Sequence, residues 1–338
     1  MAFALGTDVF VGVNDEDAWD TAVAPYKYLP CVLAGETLQN HREYEFAETL
    51  DGTAQSTEPH LELTYWDGDL PMQINYEGIE FFLYQLMGAE SASDPVTVEA
   101  NVYGRTYTPG TPLPTGLTLY VNRTTKLYKY SGGMITKGTF NIGNSGPVCT
   151  ATFSMLGGTC ATANVESRAT KAADPGFFPY NPAMRVGASS DITVGGTSVK
   201  TKLKSATFTI ENPLSQERTI FGSSIIQPQF TGKQKVTGQL VGWMDSDAYT
   251  NIEGNFENGT DSAIVITVQD STLLGATEYR QIVFTFQSCY LGPTGTPTAS
   301  SAGLIEVTFP FWAWYDTTND QCKIELYNSD STDHFATE

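Results

Sequence analysis

Short runs that alternate between apolar and polar residues dominate this chain, and they predict β-strands with one buried face. Leu117, Leu119 and Val121, for example, share one side of such a run. In the first half, runs of this kind predict strands at residues 9–13, 27–34, 61–66, 117–121, 126–132, 134–142 and 148–156. In the second half they predict strands at 193–211, 234–244, 263–269, 279–291 and 303–316. The predicted fold class is therefore mainly β.

One stretch, residues 67–88, has the spacing of an amphipathic helix instead. Apolar side chains recur there at i, i+3, i+4 and i+7, namely Ile79, Phe82, Leu83 and Leu86. Asn75 is placed to cap the start of this helix, and Gly88 is placed to end it. The apolar helix face is expected to cover one side of a sheet.

The entry to this helix recurs 170 residues later, where Gly238-Gln239-Leu240 matches Gly68-Asp69-Leu70. Asp245 then stands where a second helix would be capped, and Gly254 shortens that helix. An offset of about half the chain indicates an internal duplication. The sequence therefore predicts two related domains, each a β-sandwich or small barrel with one flanking helix. The shift to small residues and prolines at 169–184 places their boundary, giving domains 1–168 and 169–338.

Two long segments, 35–60 and 212–233, occupy the same place in each half, directly before the strand that leads into the helix. They are too apolar for linkers, so we expect them to order against something else, most simply a neighbouring subunit. The residues expected at such an interface are Arg42, Glu43, Tyr44, Phe46, Phe221, Ile225, Ile226 and Phe230. The polar tail after Asp316 is expected to be peripheral or frayed.

Charge is unevenly spread along the chain, whose formal net charge is −20. Residues 1–100 hold 19 acidic and two basic residues, 101–235 hold five and 14, and 236–338 hold 14 and two. This segregation fits either solvated faces of different sign or surfaces that meet between copies of the chain. Nucleic-acid binding by the basic middle part is disfavoured, because its bases are scattered singly and the molecule as a whole repels phosphate.

Targeting signals and disulfides are not expected. The first residues lack a basic stretch ahead of an apolar run, and no run approaches the roughly 20 apolar residues of a membrane helix. The protein is therefore expected to be soluble and made in the cytoplasm. Its five widely spaced cysteines favour reduced thiols.

Motifs for catalysis or metal binding are also few. The three histidines are in no metal-binding spacing, and no GxSxG sequence is present. Asp15 and Asp17, and later Asp245 and Asp247, begin like calcium loops, but neither run has the glycine that such a loop requires. Carboxylates for glycoside hydrolysis cannot be singled out by sequence. No catalytic, cofactor-binding or metal-binding residue is predicted, and the protein is expected not to be an enzyme.

Five segments in a fixed order together resemble a known family. They are GDLPMQINYEGIEFFLYQLMG (68–88), LTLYVNRTTKLYKYSGGMITKGTFNIG (117–143), and the closing set ATFTIENPLSQ (206–216), TGKQKVTGQLVGWMDSDAY (231–249) and EVTFPFWAWYD (306–316). In their order they resemble the tail tube proteins of long-tailed bacteriophages, in the class whose chain carries two fused tube domains. The resemblance extends from about Ala34 to Asp316.

This resemblance implies a structural virion protein that self-assembles into stacked rings around a lumen through which DNA passes. Inner strands of neighbouring subunits would form one β-barrel, the helix would cover the outward face, and a long loop would reach an adjacent ring. Three two-domain chains would make a pseudo-hexameric ring. The implied partners are the chain itself, the tape measure protein and DNA without specific binding, and the tail terminator and tip proteins. No membrane and no cofactor are implied, and assembly would occur in the host bacterial cytoplasm.

Other functions remain open at this point. A tail terminator, a tail-tip component or a capsid accessory protein would share the tube fold. A β-sandwich adhesin and an enzyme with an acidic site are the remaining alternatives. Length-dependent assembly separates the tube protein from other tail components, whereas sugar or cell binding would mark an adhesin.

Overall fold

The computed structural model describes residues 10–29, 35–46, 59–91, 95–110, 115–123, 125–143, 148–166, 183–215, 222–243, 261–292 and 306–332. Their secondary structure is mainly β, which confirms the predicted fold class. The first-half elements are β1 Phe10–Asp15, β2 Lys27–Leu29, β3 Gln39–Phe46, β4 Pro59–Gln73, α1 Glu80–Met87, β5 Gly88–Glu90, β6 Val96–Glu99, β7 Val102–Pro109, β8 Leu117–Asn122, β9 Leu127–Ile142, β10 Thr150–Gly157 and β11 Cys160–Ala163. The second-half strands are β12 Asp191–Val194, β13 Thr197–Ser198, β14 Leu203–Glu211, β15 Leu214–Ser215, β16 Gln229–Phe230, β17 Lys235–Trp243, β18 Ser262–Leu273, β19 Tyr279–Leu291, β20 Glu306–Ala313 and β21 Lys323–Asn328.

Eight of these strands form one continuous antiparallel sheet that runs through both halves of the chain. Their spatial order is β3, β4, β10, β9, β14, β17, β20 and β19. The two halves meet where β9 pairs with β14, from Lys137 opposite Glu211 to Ile142 opposite Ala206. A backbone hydrogen-bonded ladder therefore joins the halves directly.

The pairing scheme of the first half recurs in the second. In the first half, β1 pairs with β2 and β8, and β9 pairs with β8, β10 and β11, while β4 lies between β10 and β3. In the second half, β12 pairs with β13 and β18, and β19 pairs with β18, β20 and β21, while β17 lies between β20 and β14. The register also matches, because Gly68 lies opposite Met155 just as Gly238 lies opposite Phe311.

Helix α1 ends where the sequence predicts but begins later. Gly88 ends it in the left-handed conformation, with φ 95°, where glycine carries no steric penalty. The predicted cap at Asn75 is wrong, since the helix begins at Glu80 and Ile79 occupies the N-cap position without a side-chain cap. Asn75 is held instead in a β-bridge to Ala183, at the end of the predicted domain boundary.

The predicted helix face is fully buried, at Ile79, Phe82, Leu83 and Leu86. Phe82 stacks on Phe153 of β10 with ring centroids 5.0 Å apart. Gly138 of β9 permits a close approach, because a Cβ there would lie 2.6 Å from Leu86. The helix therefore covers one face of the continuous sheet. The second helix predicted after Asp245 lies outside the described residues.

The C-terminal region departs from expectation, because part of the predicted peripheral tail is a core strand. β21 pairs with β19 on one side and with β7 of the first half on the other. Ile324 and Leu326 are fully buried. Beyond the strand, Asp330 forms an ion pair with the buried Lys27, which also contacts Glu80. Alternating side chains and pairing partners on both sides explain why this polar-looking segment is ordered.

Four cysteines lie in the described regions, and all four are free thiols, as the sequence predicts. Burial raises the pKa of the Cys149 and Cys289 thiols to about 12. Both thiols are therefore protonated and unreactive at neutral pH. Among the described residues, no helix has the length and apolar character needed to cross a membrane.

Candidate functional site

The exposed face of the continuous sheet carries an ordered array of small uncharged polar side chains. They come from four adjacent strands, β10, β9, β14 and β17. Cross-strand register aligns one row as Thr152, Thr139, Thr209 and Thr237, and a second row as Thr150, Asn141, Thr207 and Gln239. We call these eight residues the threonine face.

Strand alternation explains how this face forms. Between Thr139 and Asn141 lies Phe140, and between Thr207 and Thr209 lies Phe208; both phenylalanines are buried on the opposite side. Threonine suits these positions because its branched side chain packs well on a pleated surface while its hydroxyl stays in water. Neighbouring side chains also interact across the ladder: Thr207 donates to Asn141 Oδ1 at 3.2 Å.

A row of alternating charges borders the threonine face. Asp69, Lys137, Glu211 and Lys235 lie along one line across β4, β9, β14 and β17, with Ser154 of β10 between the first two. Ser154 donates to Asp69 Oδ1 at 2.6 Å. Because opposite charges stand next to each other, this border carries little net charge. The central part of the sheet surface is therefore close to neutral, although the chain as a whole is acidic.

The first group of predicted interface residues lies on the hairpin formed by β3 and β4. Arg42, Glu43, Tyr44 and Phe46 are all exposed in β3. Tyr44 is 51% exposed and Phe46 is 57% exposed, although both carry large apolar side chains. Leu61, opposite Tyr44 on β4, is also exposed. This end of the hairpin therefore presents an apolar surface without contributing to the core.

The second group is placed differently. Ile225 and Phe230 are half-buried, Ile226 is fully buried within the chain, and Phe221 lies outside the described residues. The segment that holds Ile225 and Ile226 contacts the first half of the same chain, where Ile225 forms a parallel bridge to Thr64. The structure thus brings part of the second long segment onto the first half.

The acidic run at residues 14–20 is used for internal hydrogen bonds. Asp15 accepts a hydrogen bond from Gln85 of α1 at 2.7 Å. Glu16 accepts from Thr118 and from the Gly132 amide. Asp20 accepts from Ser131 and Thr159. These carboxylates tie the β1–β2 connection to β8 and β9. Among the described residues, no group of three or more acidic, histidine or cysteine side chains could hold a metal ion. Asp245 and Asp247 lie outside the described residues.

Asp15 makes stability depend on pH. Burial raises its pKa from 3.8 to about 7. Between about pH 4 and 7 the folded protein therefore keeps a proton that the unfolded chain releases, so stability falls as pH rises through this window and levels off above it. Replacing Asp15 with Asn keeps the acceptor for Gln85 and removes the titration. We expect Asp15→Asn to unfold with a free energy higher by about 1–3 kcal/mol at pH 8.

Chemical denaturation of both proteins at pH 5 and pH 8 measures this effect, which should be smaller at pH 5. The matched control is Asp17→Asn, because Asp17 is exposed in the same connection. Equal stability of the Asp15→Asn variant and the parent protein at pH 8 would contradict the assignment.

Comparison with protein families identifies the chain. A family model described as phage tail tube protein matches residues 6–313 of the 338. The chain therefore belongs to the phage tail tube protein family. A search of curated proteins finds no match. Membership makes the protein a structural component of the virion tail, in a family that associates with itself and with other tail proteins and is not normally enzymatic.

Proposed function

We propose that this chain assembles head to tail into rings, that the rings stack into the hollow tail tube, and that the threonine face lines the lumen through which phage DNA passes. Each chain would supply two tube domains, 1–168 and 169–338. Three chains would then close a pseudo-hexameric ring. The proposal gives the chain no catalytic residue and no cofactor.

The observation that carries this proposal is the junction between β9 and β14. There the last strand of one four-stranded repeat pairs with the first strand of the next. The proposal places the same relationship between the second repeat of one copy, which ends at β19, and the first repeat of another, which begins at β3. Such a contact is heterologous, because different surfaces meet, and it generates a closed ring when the rotation between units divides a full turn. Closure also removes the exposed strand edges that an open sheet must protect.

Three copies of the eight-stranded sheet would give a barrel of 24 strands. Barrel diameter grows with strand number, and barrels of about 16–18 strands already leave an aqueous channel. The helix α1 side of the sheet would face outward, since α1 covers the face opposite the threonine face. The lumen would therefore be open and lined by the exposed side of the sheet.

The chemistry of the threonine face suits a surface past which DNA moves. Proteins hold DNA mainly by placing Lys and Arg against phosphates. The two central rows carry neither, and Lys137 and Lys235 each face Glu211 across the ladder. A duplex in such a lumen would meet hydroxyl and amide groups without a fixed array of cations. DNA and the tape measure protein would therefore occupy the lumen without being bound specifically.

In this proposal the exposed end of the β3–β4 hairpin contacts another copy of the chain. Arg42, Glu43, Tyr44 and Phe46 would lie at that interface. Phe221, Ile225, Ile226 and Phe230 belong to the corresponding segment of the second half, which bridges the repeats. The terminator and tip proteins would contact the two ends of the finished tube, and assembly would take place in the host cytoplasm.

Negative-stain electron microscopy of the concentrated protein, together with light scattering, tests the proposal. We expect hollow tubes or stacked rings whose averaged end view shows six-fold density produced by three chains. A species that remains monomeric over a wide range of concentration and salt would favour a terminator, tip or accessory role instead. Mass photometry of isolated rings would distinguish three chains from six.

A further inference from the structure

The first half of the chain holds an occupied docking site at the edge of β4. Thr64 lies two residues before Trp66, which is the last β4 residue paired with β10. Beyond that point a segment of the second half takes the place of β10. The Thr64 amide donates to the Ser224 carbonyl at 2.7 Å, and the Ile226 amide donates to the Thr64 carbonyl. The docked segment belongs to the connection between β14 and β17.

The second half contains the corresponding position, at Gln234 before β17. Val236 is the β17 residue that pairs with Ala313 at the end of β20, just as Trp66 pairs with Gly157 at the end of β10. Gln234 lies two residues before Val236 and so corresponds to Thr64. We therefore expect the edge of the sheet beside Gln234 to bind a segment of chain in the same way.

At this position the described residues leave a groove of about 690 Å³. Trp314 and Tyr315, which follow β20, form one side of it, and Phe230, Lys233 and Gln234 form another. Tyr315 is 59% exposed. Asp320 and Gln321 also line the groove. The groove therefore offers an exposed aromatic wall beside polar and charged side chains.

We propose that this groove binds the β3–β4 connection of a second copy of the chain. The segment docked at Thr64 is the β14–β17 connection, and β3 and β4 correspond to β14 and β17 in the repeated pairing scheme. The occupant expected at Gln234 is therefore the β3–β4 connection. Within one chain, β3 lies five strand positions from β17, about 24 Å away at the usual spacing. In a ring, however, the first repeat of the next copy adjoins this groove.

The chemistry of the hairpin complements that of the groove. The hairpin presents the exposed Tyr44 and Phe46 to an aromatic wall. The groove carries one cation and one anion, Lys233 and Asp320, and the hairpin carries the opposite charges on the exposed Glu43 and Arg42. Aromatic contacts supply much of the binding energy in protein interfaces, and charges at the rim set the register. The inference rests on the proposed self-assembly and adds a lateral contact within each ring.

Site-specific photocrosslinking tests this contact. Two preparations of the protein are mixed and assembled together. One has normal isotopes and carries a photoreactive phenylalanine analogue in place of Tyr315. The other is labelled with heavy isotopes and lacks the analogue. We expect crosslinks between light and heavy chains that map by mass spectrometry to residues 43–62. The same probe at Leu273, an exposed position outside the groove, should give no crosslink to that segment.

The outcomes separate this inference from the proposed function. Tubes whose crosslinks from position 315 stay within one chain, or reach other parts of a second chain, would overturn the groove assignment and leave the tube proposal standing. Failure of the unmodified protein to form any ring or tube would overturn both. A Tyr315→Ser variant adds a second readout: we expect its critical concentration for assembly to rise at least tenfold relative to Leu273→Ser, and equal values would also count against the contact.

Discussion

Replacing residues 44–62 with an Asn-Gly turn is expected to abolish tube assembly while leaving a folded monomer. The described residues of the replaced segment, 44–46 and 59–62, are exposed and include Tyr44, Phe46 and Leu61, so their removal takes no side chain from the core. Glu43 lies opposite Leu63, which lets a two-residue turn close the shortened hairpin. Thr64 is retained, so the contact with Ser224 and Ile226 remains. The monomer should therefore keep its fold and lose the apolar surface that contacts another copy.

Electron microscopy and thermal unfolding together check this expectation. The variant should give no tubes at concentrations where the parent protein assembles, with a melting temperature within a few degrees of that of the parent monomer. A full-length control, Tyr44→Ser with Phe46→Ser, separates hairpin length from hairpin chemistry and should weaken assembly strongly. Tubes of normal appearance from the shortened variant would refute the role of the hairpin.

The sequence predicts the fold class because strand alternation is a local property. β17 and β19 are found where their apolar and polar residues alternate, with β19 matching residues 279–291. The end of α1 at Gly88 is predictable for the same reason, because the left-handed conformation that ends the helix depends on a single glycine. The helix start was wrong because Asn75, a good cap in isolation, is held by Ala183 from a distant segment. Long-range pairing overrides a local preference there.

β21 is a strand that is difficult to predict because the surrounding sequence is polar. Ile324 and Leu326 alternate with polar neighbours, and this signal is present in the sequence, but it spans only a few residues within a polar tail. Its burial depends on β19 and β7, which come from opposite halves of the chain. A strand of this kind is specified by its partners more than by its own composition.

The candidate site was only partly predictable. Alternation indicates that Thr139 and Thr209 face away from the core, but not that they are neighbours, because β9 and β14 are far apart in the sequence. The overall composition is acidic, whereas the strand register places Lys137 beside Glu211 and aligns the uncharged residues Thr139, Asn141, Thr207 and Thr209 on the same face. The hairpin residues Tyr44 and Phe46 are recognisable in the sequence as apolar residues within a long segment, and the structure places them in an exposed strand. Their contact with another copy remains a prediction.

Replacing Phe208 with Ala is expected to destabilise both halves together, by about 3–5 kcal/mol. Phe208 is buried on β14 and stacks on Phe140 of β9, with ring centroids 5.0 Å apart. It also contacts Phe284 and Phe286 of β19 edge-on at 4.7 and 5.2 Å. The ring therefore lies between strands of the first and second halves, directly behind the threonine face. Its loss leaves a cavity at the junction that the surrounding aromatic side chains can only partly fill.

Chemical denaturation followed by far-UV circular dichroism and tryptophan fluorescence distinguishes joint unfolding from separate unfolding of the halves. We expect coincident single transitions for the parent protein and for Phe208→Ala, with the variant midpoint shifted to lower denaturant. Thr209→Ala is the matched control on the opposite face of the same strand, where only a 3.3 Å hydroxyl contact with Thr139 is lost, and should cost less than about 1 kcal/mol. Two separate transitions, with only one affected by Phe208→Ala, would show that the β9–β14 ladder does not couple the halves. A single shifted transition would instead show that the β9–β14 ladder couples the two halves into one cooperative unit.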